Sequence, residues 1–90
     1  MIFTDHSKIR SQQRGVKKDV VSFIYKYGKK VAVKGNSQKY FVNKKRLNSV
    51  KFVEGDFIKK NDHSILNTAI VCQGKVVITI MKINKKVNWN

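Results

Sequence analysis

His6, Arg10, Gln13 and Arg14 recur at i, i+4, i+7 and i+8, the spacing that puts four side chains on one face of a helix. The face joins an imidazole, the side-chain type that ordinarily titrates near neutral pH, to two permanently charged planar guanidinium groups. Cleavage of a phosphodiester through its own 2′-hydroxyl asks for these group types. A base takes the hydroxyl proton, an acid protonates the leaving oxygen, and a cation stabilises the crowded phosphate. Such residues also populate ordinary solvated helix faces, so the spacing alone leaves both readings open. Three hydroxyls on strand-like segments extend the set: Tyr40 in Lys-Tyr-Phe-Val, Thr68, and Thr79 in Val-Val-Ile-Thr-Ile. Each could contact phosphate or move a proton at a cleft between a sheet and the first helix. The plainer alternatives are a core Tyr with a wet tip and a strand Thr satisfied locally.

The charge balance points to the same class of partner. The chain has 90 residues and a formal net charge of +15; its 20 cations are all Lys except Arg10, Arg14 and Arg46. Lys pairs recur at 17–18, 29–30, 44–45, 59–60 and 85–86, the distribution expected of non-specific attraction to a phosphate backbone. A charge this large repels itself, and a polyanion relieves the repulsion. Nucleic acid is the first candidate, an anionic membrane surface the second and an acidic protein the third. His6, His63, Asp56, Asp62 and Cys72 show no metal-ligand spacing, so neither a metal site nor a cofactor is expected. The single Cys excludes an internal disulfide, and Cys72 reads as a small core residue. No run approaches about 18 consecutive apolar residues, the length that a membrane span needs. Met1 to His6 lacks a basic stretch followed by an apolar run, so no signal peptide is expected and the cytoplasm is the default compartment.

The elements that must position these groups are those of one small domain, residues 1–90. Thr4-Asp5 reads as a helix start and Gly15 as its stop, giving a helix over 5–14 in which Ile9 is the one clear apolar residue. Val16, Val20, Ile24 and Tyr27 form one helical stripe, giving a second helix over 16–27 with Gly28 as its stop. Residues 29–34 and 38–43 alternate around Gly35-Asn36-Ser37 and read as a hairpin. Residues 44–53 fit a short helix, and 55–61 a connection with Phe57 and Ile58 tucked onto the core. Residues 67–73 and 76–83 form the clearest hairpin, around Gly74-Lys75, and the second of these strands reads as central because it is apolar on both faces. Residues 84–90 form a basic tail that Trp89 pins to the body. The fold class is α+β: two N-terminal helices on a four-stranded antiparallel sheet, with a short third helix between the hairpins.

Two segments together resemble a known family. His6-Ser7-Lys8-Ile9-Arg10-Ser11-Gln12-Gln13-Arg14-Gly15-Val16 is similar to the His-x-x-x-Arg-x-x-Gln-Arg-Gly-(Ile/Val) opening of small bacterial toxin-like domains. Gln38 to Lys45 looks like that family's Tyr-Phe-x-Asn-Lys-Lys segment, and Val77-Ile78-Thr79-Ile80 like its closing Ile-Thr-Val strand. The family is similar to the RelE/BrnT-type toxin ribonucleases of the barnase–EndoU–colicin–RelE group, and the resemblance covers residues 4–83. It implies metal-independent RNA cleavage, often restrained by an acidic antitoxin. The catalytic positions it implies are His6, Arg10, Tyr40 and Thr79, with Gln13, Arg14, Lys44 and Lys45 binding RNA; Lys82 joins the RNA-binding set on its charge alone. Relatives often place His or Arg just after the Ile-Thr-Val strand. Here Met81, Lys82 and Ile83 follow, and Lys82 keeps the charge without the imidazole. The partners this reading carries are RNA, an acidic antitoxin and the ribosome, with no membrane. Two other readings stay open: a non-catalytic nucleic-acid-binding module, and an interaction domain for an acidic antitoxin.

Overall fold

A computed structural model describes residues 1–83; the tail, with Val87 and Trp89, lies outside the described residues. The chain order is β1 (Ile2–Phe3), α1 (Asp5–Gln13), α2 (Lys18–Tyr27), β2 (Lys29–Val33), β3 (Ser37–Phe41), α3 (Lys44–Ser49), α4 (Lys51–Leu66), β4 (Thr68–Gln73) and β5 (Val76–Lys82). The fold is α+β. Its sheet has five strands in the order β1-β5-β4-β3-β2 and is mixed, since β1 runs parallel to β5 while the other pairs are antiparallel. The four-stranded antiparallel sheet is therefore corrected to a five-stranded mixed one, and the helix count among the described residues to four. A two-residue parallel strand has neither a turn signal nor a period. It is held by tertiary bonds such as Ile2 N–H donating to Lys75 O at 2.8 Å.

Strand register decides which residues share a face. Tyr40, Ile70 and Ile80 lie in one cross-strand row, and Lys39, Val71 and Thr79 in the adjacent row on the opposite face. A register shift between Val71 and Cys72 leaves Ile78 as the extra residue of a bulge. The first face carries the core. Tyr40, Ile70 and Ile80 pack with Val20 and Ile24 of α2, Leu47 of α3, and Ile58 and Ile65 of α4. Phe23 stacks on Phe57 at 5.3 Å and meets Tyr27 at 4.9 Å, joining α2 to α4. The strand β5 is interior, between β1 and β4, as its apolar faces suggest; β4 is the middle strand, and its Thr68, Ala69, Ile70 and Cys72 are all buried. Among the described residues β2 is an edge strand, and all five of its residues are exposed.

The helices start and stop for identifiable reasons. Gly15 takes φ 63 just past α1, the left-handed conformation that costs a side-chain-bearing residue most. Val16 is buried but not helical: its N–H donates to Ser11 O at 2.9 Å and Lys17 is extended, so α2 begins at Lys18 rather than Val16. Gly28 is not left-handed; it has φ −72 and ψ 157. Its constraint is space, because a Cβ there would meet the Ile24 carbonyl and the Phe41 backbone. The expected helix over 44–53 divides into α3 and the start of α4, and the expected connection over 55–61 is helical. The helix runs on through Gly55 after a break at Glu54 (φ −126, ψ 32), where Tyr27 Oη donates to Glu54 Oε1 at 3.3 Å. Beyond the break Phe57 is half-buried and Ile58 buried, as their tucking onto the core requires.

Candidate functional site

The site is built from the start of α1. An amphipathic stripe does not hold this helix in place, since its one clear apolar residue, Ile9, is 53% exposed. Polar bonds hold it instead. Thr4 caps the helix by accepting from Ser7 N–H at 3.1 Å, and its hydroxyl donates to Val77 O at 3.2 Å, with Ile78 O at 3.4 Å. Thr4 N–H also reaches Val77 O at 3.3 Å. Ser7 and Ser11 are buried, and their hydroxyls donate to Thr4 O and Val16 O. The helix start is thereby tied to β5 at Val77. Two residues on from Thr4 is His6, and two residues on from Val77 is Thr79. Their side chains meet: His6 Nε2 lies 3.4 Å from Thr79 Oγ1, across 73 residues of sequence. The tautomer of His6 decides which of the two donates.

The rest of the helical stripe follows from this placement. At about 100° per residue, Gln13, His6, Arg10 and Arg14 span an arc of about 100°, next to the arc of Ser7 and Ser11. Exposure follows the same sequence: Gln13 and His6 are exposed, Arg10 and Arg14 partly covered, and the two Ser buried. The stripe thus borders the seam where α1 packs on β5. Arg14 closes the helix with its N–H on Arg10 O at 3.0 Å. Its Nε is a buried atom with no hydrogen-bond partner among the described residues. A buried guanidinium N–H is costly to leave unpaired.

Four of the candidates do not join this group. Tyr40 lies on the other face of the sheet, in the core row with Ile70 and Ile80. Its ring packs on Tyr25 at 5.0 Å and its hydroxyl donates to Gln38 Oε1 at 3.3 Å. Burial pushes its pKa up, and Tyr25 and Cys72 add to the shift, so the phenol holds its proton still more firmly than usual. Strand parity removes it from the site: Lys39, not Tyr40, shares the face of Thr79. Lys82 pairs with Thr68 and alternates with Ile80, so it too falls on the face opposite Thr79; the next residue on the Thr79 face is Met81. Lys44 and Lys45 are exposed on the first turn of α3, beyond the end of β3.

Lys39 is a residue that the motif reading missed. It is half-buried and stands in the Thr79–Val71 row. The signal was present in the alternation of β3: once Tyr40 faces inward, Lys39 faces outward. The sequence marks Thr4 as a helix start, but its second function, anchoring β5, is invisible without the tertiary structure. Among the described residues His, Cys, Asp and Glu do not gather in groups of three that could hold a metal ion. No helix among them is long and apolar enough to cross a membrane. No protein-family model matches the chain, and neither the curated proteins nor the solved structures include a significant match.

Proposed function

We propose that this protein binds RNA and cleaves it as a toxin-type endoribonuclease, by attack of a 2′-hydroxyl on the adjacent phosphorus and without a metal ion in the step. The observation that supports this reading is the meeting of His6 Nε2 with Thr79 Oγ1 beside the Arg10 and Arg14 cations, in a chain of net charge +15. In this mechanism His6 takes the 2′-hydroxyl proton. The 2′ oxygen bonds to phosphorus as the bond to the 5′ oxygen breaks. The leaving oxygen takes a proton from water and His6 returns its own to solvent. The products are a 2′,3′-cyclic phosphate and a 5′-hydroxyl. Thr79 orients the imidazole or the phosphate, and Arg10 and Arg14 offset the charge that builds on the phosphoryl oxygens. Lys39, on the Thr79 face, draws the strand in by charge, and Lys44 and Lys45, on the α3 side of the sheet, add to the general attraction for RNA.

The test is incubation of purified protein with a mixed single-stranded RNA in excess EDTA, with His6→Ala and Thr79→Val alongside. The expected result is cleavage that survives EDTA, disappears in His6→Ala and falls about 10- to 100-fold in Thr79→Val. Equal cleavage by His6→Ala would overturn the assignment. A second reading, RNA binding without chemistry, is favoured by the placement of Tyr40 and Lys82 on the opposite face, which leaves one imidazole to move protons. It predicts salt-dependent binding and no cleavage in the same assay.

A further inference from the structure

Phe52 is 99% exposed and its neighbour Val53 72% exposed, on the first turn of α4 just before the break at Glu54. A Phe with almost all of its surface in water gives up the burial that normally stabilises an aromatic residue. The break explains the geometry: residues beyond Glu54 turn onto the core, and the turn before it projects outward. Beside this turn, α3 and α4 enclose a groove of about 600 Å³. Its apolar lining is Leu47, Ile58 and Leu66; its rim carries the ammonium groups of Lys44, Lys51 and Lys59 against the single carboxylate of Asp62. Leu47 and Ile58 also belong to the core on the Tyr40 face, so the groove lies on the opposite side of the sheet from His6 and Thr79.

We infer that the α3–α4 groove with Phe52 is a second binding site for single-stranded RNA, taking one unstacked nucleotide. The inference rests on the reading of RNA as the ligand and is independent of cleavage. Aromatic stacking platforms flanked by cations are how proteins hold single strands without reading sequence. The exposed Phe52 ring, beside the groove and not part of its lining, supplies the platform for one unstacked base, and the groove's Lys44, Lys51 and Lys59 meet the phosphates. A bilayer would meet only two adjacent apolar side chains here and would leave the groove unused.

The experiment is fluorescence anisotropy with a labelled single-stranded RNA of about 12 nucleotides, titrated across salt concentrations. It uses the full chain in the cleavage-deficient His6→Ala background, where the second site is intact. Phe52→Ala is expected to bind about 5- to 100-fold more weakly. The double substitution Lys51→Gln/Lys59→Gln is expected to reduce the slope of log affinity against log salt by about 1.4. Thermal midpoints of these variants should match the parent, because Phe52, Lys51 and Lys59 are exposed. Unchanged affinity in Phe52→Ala, with the parent still binding, overturns the second site and leaves RNA as ligand. A parent that binds no RNA overturns both readings. Vesicles containing phosphatidylserine that bind the parent but not Phe52→Ala, with RNA affinity unchanged, reassign the patch to a lipid surface.

Discussion

Cys72 and Tyr40 sit side by side in the interior and share a chemical fate. Both belong to the core on one sheet face, and both hold their protons more tightly than in water. Burial pushes the Cys72 thiol up to about 11. The sign of the stability effect follows. Below the pKa of the unfolded thiol the protonated group stabilises the fold fully. As pH rises from about 9 through about 11, the unfolded chain loses its proton first and stability declines, by on the order of 2–3 kcal/mol. Tyr40 adds to the decline at the alkaline end. The expected outcome is a urea midpoint that falls more steeply over this window in the parent than in Cys72→Ala. Chemical denaturation at stepped pH would measure it. The same protonation logic bears on the site. A buried phenol with a raised pKa stays protonated and is a poorer proton donor than a free one, which agrees with its place away from His6.

At the scale of elements, α1 presents a helix that burial does not anchor. Thr4 does the anchoring, capping the helix and tying it to β5 with one hydroxyl. Thr4→Ala should cost about 1–2 kcal/mol of stability and, on the proposed mechanism, lower cleavage more than the stability loss accounts for, because His6 is released from Thr79. Thr4→Ser, which keeps the hydroxyl, should restore both; thermal melts and initial cleavage rates separate the two effects. What could be read from sequence divides along the same line. The α1 start, the stop at Gly15 and both hairpins are announced by caps, turn residues and alternation within a few positions. The α4 helix is hidden because Gly55 and a run of polar residues dilute its stripe to Ile58 and Ile65, whose value appears only against Phe23 and the sheet. The strand β1 is hidden because two residues carry no period. The meeting of His6 with Thr79 follows from a parallel pairing and from Thr4, neither of which is a local signal. The separation of Tyr40 from Thr79 depends on register, and the bulge at Ile78 shifts that register.

At the scale of the molecule, net charge competes with cohesion. Residues 1–83 form one main core around α2, β3, β4 and β5, while the chain as a whole carries +15. A ligand that binds the folded state alone stabilises it by mass action, and a polyanion also removes self-repulsion. Inorganic polyphosphate at low salt should therefore raise the thermal midpoint by several degrees, and the increase should vanish as sodium chloride approaches about 1 M, where the screening length falls to about 3 Å. An increase that survives high salt would argue for a specific pocket in place of the general field.

The strand β2 gives that competition another side. Its sequence, Lys-Lys-Val-Ala-Val, followed by Lys34, lines the outer edge of the sheet among the described residues. Three ammonium groups around a short apolar run are how an exposed edge is kept from pairing with another edge. A polyanion that neutralises them to steady each molecule also disarms this guard. Near charge balance, copies crowded along one RNA would meet edge to edge, and turbidity should peak at that stoichiometry and clear again when either component is in excess. The protein would then be most stable as a fold under the conditions in which it is least stable as a solution.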